Sequence, residues 1–274
     1  MSRPPTSLEF VNSAYKVYAD NRQLIVAMTK RELTEQYSGK IFGWFWAIFH
    51  PLFIASIYIT LFSYVFKVKI DSDIKQIGYA TFILSGLIPW MGCQQILLTS
   101  CMCLFSNANM VKQIAFPVEV IPIKSALANF VGQIVSLAAL VTYVLFKNGT
   151  PPLTYMLIPV LVTFQLLLLQ GCSFFLSAIS VFFRDTKEIV QASVVGGIYL
   201  TPVFYNMEWL PSWAVGIVYA NPFSHVILAY QDALFYGEIV HPCSWVVFFI
   251  TSITAFFFGL LSFQRMKPIF GNVL

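Results

Sequence analysis

The side chains that could carry out acid–base or metal chemistry are few in this sequence and lie far apart. On the predicted outer side of the topology described below, the acids are Asp71, Asp73, Glu208, Asp232 and Glu238, and the histidines of the chain are His50, His225 and His241. Enzymes that act on phosphate esters gather carboxylates around a divalent metal or pair a histidine with an acid. The sequence shows neither pattern, and His50, which precedes Pro51, is interpreted as a polar packing residue.

Motifs for nucleotide binding and redox chemistry do not stand out either. A phosphate-binding loop ends in Gly-Lys-Ser/Thr, whereas Gly39-Lys40 is followed by Ile41. If ATP drives this protein, another chain must bind it, so no cofactor is expected on this one. The five cysteines lie in or beside apolar stretches and are interpreted as packing residues. A metal or redox role for Cys101-x-Cys103 is the less favoured alternative.

The elements that must position any functional side chain are long and apolar. The chain is 58% hydrophobic and 10% charged, whereas soluble proteins contain about 25% charged residues. The charges leave seven uncharged stretches, at 41–66, 76–111, 125–146, 148–183, 189–207, 209–231 and 239–264. Because about 20 apolar residues cross the hydrocarbon core as a helix, the sequence predicts an all-α polytopic membrane protein.

Six of these stretches are predicted to cross the membrane, at about 41–66, 78–104, 123–146, 153–182, 189–205 and 243–263. Segment 206–238 contains prolines and polar residues that would interrupt a lipid-facing helix, so re-entrant short helices are predicted there. Six crossings put twelve of sixteen positive residues on one side: Arg3, Lys16, Arg22, Lys30, Arg31, Lys40, Lys112, Lys124, Arg184, Lys187, Arg265 and Lys267. The positive-inside rule assigns that side, with both termini, to the cytoplasm.

The first forty residues differ in kind from the membrane domain predicted over 41–274. No signal peptide is recognised there, and Thr6-Ser7-Leu8-Glu9 fits a helix capping box. Residues then recur at roughly helical spacing, at Val11, Tyr15, Tyr18, Ile25 and either Met28 or Thr29. This pattern predicts an amphipathic helix on the cytoplasmic membrane surface. The alternative is a solvated helix packed on its own protein.

The predicted spans carry aromatic residues and no central charges. Ion-coupled carriers place charged side chains inside their membrane helices, so that class is disfavoured. The aromatic residues of interest are Trp44, Trp46, Phe49, Tyr58 and Tyr64 around the first span, and Phe204 and Tyr205 near the outer face. Aromatic faces suit sliding contact with sugar rings, although an interfacial aromatic belt explains single residues equally well.

Several motifs, in order along the chain, carry a resemblance to a known family. Arg31-Glu32-Leu33 is followed by Gln36-Tyr37-Ser38-Gly39, Gly43-x-x-Trp46 and His50-Pro51-Leu52; Asn107-Ala108-Asn109-Met110-Val111-Lys112 precedes Phe116-Pro117-x-Glu119-x-x-Pro122; then come Phe183-Arg184-Asp185, Thr201-Pro202-Val203-Phe204-Tyr205, Leu210-Pro211 and Asn221-Pro222. This set resembles the type 2 ABC exporter permeases of the polysaccharide (O-antigen, capsule, teichoic acid) export family. Gln36 stands where that family usually has arginine.

The resemblance implies a permease of the bacterial inner membrane that forms a homodimer and works with two ATP-binding subunits, where ATP and Mg²⁺ would be bound. The substrate would be a lipid-linked polysaccharide of the O-antigen type, with membrane lipids around the chain and no nucleic acid. The resemblance places the substrate channel at Trp44, Trp46, Phe49, Tyr58, Tyr64, Phe204 and Tyr205. It places the contact with the ATPase at Asn107, Asn109, Lys112, Phe116, Arg184 and Asp185. It places an outer gate at Trp209, Pro211, Asn221 and Pro222. For Phe116-Pro117 and Arg184-Asp185 the alternatives are a loop in which prolines end helices and a solvated turn.

Two other functions stay open from the sequence. One is a type 2 ABC permease for a drug, peptide or lipid. The other is a membrane-embedded glycosyl- or acyltransferase of envelope assembly, which the dispersed carboxylates disfavour. The Gly39-x-x-x-Gly43 spacing would permit close helix approach, either at a dimer interface or within the chain.

Overall fold

The computed structural model describes residues 16–38, 45–61, 78–112, 116–148 and 151–273. All regular elements of these residues are helical. The α-helices are α1 (Arg22–Tyr37), α2 (Phe45–Thr60), α3 (Gly78–Ser106), α4 (Ala108–Val111), α5 (Val120–Asn148), α6 (Ile158–Phe182), α7 (Thr186–Gly197), α8 (Ser212–Ala220), α9 (Pro222–Gln231) and α10 (Pro242–Val273). Short 3₁₀ segments occupy Leu153–Leu157 and Met207–Trp209, and a π-helical segment occupies Asp232–Tyr236.

The described part of the chain contains four helical segments long and apolar enough to cross a membrane: Gly78–Ser106, Val120–Phe146, Leu153–Phe182 and Pro242–Gly271. These agree with the second, third, fourth and sixth predicted spans, although α10 continues well beyond the predicted end at 263. Helix α2 is described over 16 residues, about 24 Å, which is shorter than a full membrane crossing. The ends of the first predicted span, 41–44 and 62–66, lie outside the described residues.

Side-chain contacts fix the directions of the long helices. Ser100 of α3 bonds Ser173 of α6, and Pro89 accepts from Gln165, so these two helices run parallel. Helix α5 runs against them, because Lys124 near its start bonds Asn107, just after α3, whereas Asn129 further along contacts Gln95 within α3. The bundle therefore has a Lys124 end, where α3 and α6 finish and α5 begins, and an Asp232 end opposite.

Helices α6 and α10 pack together more extensively than any other pair of described helices. Their aromatic rings meet in order along both helices, from Phe164 with Phe249 to Phe182 with Phe270, so the two helices are parallel. Between those ring pairs a Cβ built on Gly171 would lie 2.3 Å from the backbone of Ala255. Only a residue without a side chain permits that approach, as in other membrane helix pairs.

Two parallel neighbours require the chain to return across the bundle between them. Helix α7 starts that return, but it ends at Gly197 and turns follow to 205, so the single fifth span predicted at 189–205 is wrong as a continuous helix. Glycine and proline account for the break: Gly196 and Gly197 weaken the helix, and Pro202 cannot donate a backbone hydrogen bond. The short helices α8 and α9 and the π segment complete the connection.

Helix α1 packs against the Lys124 end rather than standing apart. Ile25 is buried, and Tyr18 and Met28 pack around the same core cluster with Phe263 and Phe270 of α10. Burial raises the pKa of Tyr18. These contacts favour a helix packed on its own protein over one that only lies on a lipid surface. Val11 and Tyr15, and the capping box, lie outside the described residues.

Candidate functional site

A cavity of about 580 Å³ lies between α1, α2, α3 and α5. One face of α2 lines it, because Trp46, His50, Ile54 and Tyr58 recur every four residues and so stack along one side of a helix. Along α3 the lining runs from Leu84 to Thr99, which is about 22 Å at 1.5 Å per residue. The cavity is therefore long and narrow, and follows the bundle axis.

Three amides from three helices meet in the half of the cavity nearer the Lys124 end. The Nε2 groups of Gln36 and Gln95 both donate to Asn129 Oδ1, each at 3.4 Å. Asn129 Nδ2 donates to Thr99 Oγ1 at 3.3 Å and to the Ser125 carbonyl at 2.8 Å. The bonds between the side chains are long compared with the usual 2.9–3.0 Å, so this amide cluster is loosely paired.

A second polar group closes the wall of the cavity and is fully buried. Gln133 and Gln165 exchange hydrogen bonds with one another, and Tyr230 donates its hydroxyl to Gln165 Oε1 at 2.7 Å. Gln165 Nε2 also reaches the Pro89 carbonyl at 3.0 Å. Because every buried amide must be paired in an apolar medium, this group ties α3, α5, α6 and α9 together in one register.

The predicted channel residues of the first span do not all line the cavity. Trp46 and Tyr58 line the cavity. Phe49 does not line it, but its ring meets that of Trp46 edge-on at 5.6 Å and stacks with Phe45 and Phe53 at centroid distances of 5.1 and 5.6 Å. The three phenylalanine rings are exposed on the surface of the chain. Trp44 and Tyr64 lie outside the described residues. Within one chain, therefore, the aromatic residues of the first span do not form a single lining.

Phe204 and Tyr205 lie in the turns after α7, away from the cavity lining. The Phe204 carbonyl accepts from the Tyr79 hydroxyl at 2.9 Å, and Tyr205 donates its hydroxyl to the Tyr199 carbonyl at 3.1 Å. The Tyr79 bond holds the turn region against the start of α3, and the Tyr205 bond closes the turn region on itself.

At the Lys124 end, Asn107 has structural partners. Its side-chain nitrogen donates to the Cys103 carbonyl at 2.8 Å, and its Oδ1 accepts from Lys124 Nζ at 3.0 Å. Lys124 is buried and also bonds Glu32 of α1, so one ammonium group joins α1, α5 and the start of α4. This bridge makes α1 and the 107–112 segment a connected unit.

The other residues predicted to contact an ATPase differ in exposure. Asn109, Lys112, Arg184 and Asp185 are exposed at this end of the bundle, whereas Phe116 is half-buried against the core cluster that contains Ile121. Glu119 accepts two hydrogen bonds from Lys267 Nζ, at 2.7 and 2.8 Å, which fixes the loop before α5 to α10. The exposed charged and amide groups remain available to a partner.

At the opposite end, Asp232 is fully buried and paired. Its Oδ2 accepts from the His241 backbone and from Trp245 Nε1, both at 2.9 Å, and its Oδ1 contacts His241 Nδ1 at 2.8 Å. The adjoining π turn leaves carbonyls without helical partners, and Thr154 and Tyr155 donate to those of Ala233 and Leu234. Gly237, at φ +71°, ends the segment as only glycine readily does.

The predicted gate residues lie near this end. Trp209 is exposed at the end of the 3₁₀ turn, and Pro211 precedes α8. Asn221 caps α9, because its Oδ1 accepts from the Phe223 amide at 3.0 Å, and Pro222 follows at the first helical position, where its missing N–H is not needed. Burial and the nearby carboxylates of Asp232 and Glu208 raise the pKa of Tyr236 to about 12.

Sequence reasoning missed the amide cluster of Gln36, Gln95 and Asn129. Asn129 lies 93 positions from Gln36 and 34 positions from Gln95, so no local motif connects the three residues. A signal was present, however: Gln95 and Asn129 stand in stretches without charges, and polar side chains inside membrane helices are costly and commonly functional. The prediction considered only charged residues and aromatic rings.

The chain belongs to the ABC-2 type transporter family, whose model matches residues 23–235. It is accordingly a multi-pass membrane protein, as its long apolar helices also indicate. Among its relatives is an O-antigen export system permease protein RfbA of Klebsiella pneumoniae, 27% identical over 252 residues, which cover 92% of this chain and 95% of that protein. A protein of the same name from Myxococcus xanthus is 25% identical over 217 residues, covering 78% and 81% respectively.

Proposed function

We propose that this chain is the permease subunit of an ABC transporter that exports a lipid-linked polysaccharide of the O-antigen type across the bacterial inner membrane. Membership of the ABC-2 family supports transport driven by a separate ATP-binding subunit, which would hold ATP and Mg²⁺. The names of the relatives support the glycan. The observation that carries the proposal is the cavity between α1, α2, α3 and α5, whose lining combines aliphatic, aromatic and neutral polar side chains.

The assembly and topology belong to this proposal. Two copies of the chain would act with two ATPase subunits, with six crossings, re-entrant helices in 206–238 and both termini in the cytoplasm. Helix α1 and the end of α10 both contact the Lys124 end, which supports termini on one side. The exposed residues Asn109, Lys112, Arg184 and Asp185 at that end would contact the ATPase, and nucleotide-driven closure there would move α1 through Lys124.

The outer part of the proposal concerns α8, α9 and their flanking turns. Trp209, Pro211, Asn221 and Pro222 would gate the exit, and Phe204 and Tyr205 would line it. The capped start of α9 and the paired Asp232 support a rigid frame there, against which the exposed Trp209 side chain could move.

The test is ATP-driven export of a radiolabelled lipid-linked polysaccharide in sealed vesicles. Preparations would contain the chain with its ATPase subunit, the chain alone, and two variants with the subunit. Trp46→Ala removes a cavity ring, and Phe53→Ala removes an exposed ring of the same helix that does not line the cavity.

Export that needs both chains and ATP, and that falls much more in Trp46→Ala than in Phe53→Ala, is the expected result. Export or glycosyl transfer by the chain alone without ATP would refute the proposal and favour the membrane-embedded transferase. ATP-driven export of a drug or peptide, with no export of the glycan, would instead favour another kind of ABC-2 permease.

A further inference from the structure

We propose that the cavity between α1, α2, α3 and α5 binds an uncharged sugar segment through the amides of Gln36, Gln95 and Asn129. This inference rests on the proposed function and adds to it the chemistry that the site selects.

The amide cluster has unused hydrogen-bonding capacity. A side-chain amide offers two N–H donors and an oxygen with two lone pairs. Gln36 and Gln95 share a single acceptor, Asn129 Oδ1, through bonds of 3.4 Å, and within the described part of the chain their own oxygens have no recorded donor. Polar groups in a membrane interior are costly unless paired. A ligand with alternating hydroxyl donors and acceptors would satisfy these groups.

The lining is free of formal charge among the described residues. It contains no Lys, Arg, Asp or Glu, and His50 is its one side chain that normally titrates near neutrality. An anionic sugar or a phosphate would have to leave water without a cation to pair with, which is strongly unfavourable. Neutral hydroxyls carry no such penalty, so the cavity should select uncharged sugar units.

The shape and depth of the site favour a sugar segment over a membrane lipid. Gln95 lies about 16 Å before the end of α3, close to the middle of a helix that crosses about 30 Å of hydrocarbon. A lipid headgroup would sit at the membrane surface instead. Trp46 lies on the lining face of α2, where its ring can stack on a pyranose. The volume of about 580 Å³ falls within the range of ordinary ligand pockets.

Gly132 offers a way to fill the site without breaking the fold. It lines the cavity, and a Cβ built on it would meet no atom within 4 Å. A phenylalanine at this position therefore projects into the cavity. Gly92 lines the same cavity but cannot serve, because its Cβ would lie 1.7 Å from Gln133 Oε1.

The experiment measures saccharide binding directly, without the ATPase. The full chain in phosphatidylethanolamine–phosphatidylglycerol nanodiscs is studied by saturation-transfer NMR. The probes are neutral tri- to pentasaccharides of glucose, galactose, mannose and N-acetylglucosamine, with oligogalacturonate as the anionic comparison. The variants are Gly132→Phe, Gln95→Leu and Asn129→Leu. Gln191→Leu, which alters an exposed amide of α7, is the matched control.

We expect at least one neutral oligosaccharide to bind and oligogalacturonate not to bind. Gly132→Phe should abolish binding, each leucine variant should weaken it roughly two- to tenfold, as expected for one or two neutral hydrogen bonds, and Gln191→Leu should leave it unchanged. Binding by none of the neutral probes, equal binding of the anionic probe, or a co-purifying lipid lost only in Gly132→Phe would overturn the inference.

The outcome is separable from that of the export assay. If ATP-driven glycan export stands while Gly132→Phe exports normally, the proposed function survives and this site is refuted. If neutral saccharides bind through the amide cluster but no glycan is exported, the site survives and the proposed function fails.

Discussion

The contact between α6 and α10 gives the sharpest prediction from this structure. In Gly171→Ala the new methyl group would lie 2.3 Å from the carbonyl carbon and oxygen of Ala255 and 2.5 Å from the nitrogen of Phe256. All three are backbone atoms, so no side-chain rotation relieves the overlap. Ordinary contact begins at 3.4 Å, and the helices must therefore move apart by about 1 Å, a gap that forfeits up to half the dispersion energy of facing atoms.

The expected loss of stability follows from the side-chain contacts that this separation of α6 and α10 would loosen. The ring pairs Phe164–Phe249 and Phe174–Phe263, at 4.3 and 5.5 Å, flank the glycine contact on both sides. Overpacking of this kind costs about 1–3 kcal/mol. Each kcal/mol lowers Tm by roughly 2–4 °C in a chain of this size, so we expect a loss of roughly 2–12 °C.

The assay is thermal unfolding of the detergent-solubilised protein, followed by fluorescence-detected size exclusion. Gly196→Ala is the matched control, because a Cβ at Gly196 meets no atom within 4 Å and alanine should stabilise that helix slightly. Gly259→Ala should behave like Gly171→Ala, since its Cβ would lie 2.0 Å from the Gly171 carbonyl oxygen. The two changes disturb one contact, so their effects should not add. A Tm for Gly171→Ala equal to that of Gly196→Ala would refute the packing described here.

Three further predictions concern the paired charges. Asp232 accepts through both carboxylate oxygens, so Asp232→Asn places its N–H₂ group against a donor. This change should lower the free energy of unfolding by about 1–3 kcal/mol, measured by thermal unfolding, whereas Glu238→Gln, at an exposed position, should have little effect. Lys124→Met leaves Glu32 unpaired and should lower the free energy of unfolding by about 3 kcal/mol. Adding Glu32→Gln should restore part of that loss. Equal Tm values for the single and the double variant would contradict the bridge. Lys267→Met leaves the Glu119 carboxylate, whose side chain is 9% exposed, without its cation and should cost about 1–3 kcal/mol, reduced by the 38% exposure of the lysine; a Tm equal to that of the unchanged protein would be evidence against this pair.

Much of the helical framework could be predicted from hydropathy, whereas its interruptions could not. The apolar runs that form α3, α5, α6 and α10 are each long enough to predict a membrane-crossing helix. The break after Gly197 was missed because an uncharged run looks continuous whether or not its backbone stays helical. Glycine and proline in that run were the available evidence.

For the candidate site, spacing within a helix was informative and contact between helices was not. Trp46 and Tyr58 lie twelve residues apart and both line the cavity, while Phe49, three residues from Trp46, contacts the Trp46 ring from outside the lining. Asp232 was interpreted as one of several scattered acids, yet His241 and Trp245 complete its pairing only 9 and 13 residues later. Such pairings depend on the geometry of the turn between the residues, which the hydrophobic periodicity of the sequence does not reveal.

The pairing of Asp232 also bears on how the chain is assembled during synthesis. All three donors to its carboxylate follow it in the sequence, at His241 and Trp245. A growing chain that has reached the end of α9 would hold a carboxylate that cannot be buried without a large penalty, because its donors have not yet been made. Insertion of α9 and the π segment therefore has to wait for the first turn of α10. A ribosome-bound chain truncated before 245 should accordingly leave this region open to protease, and one extended past α10 should protect it.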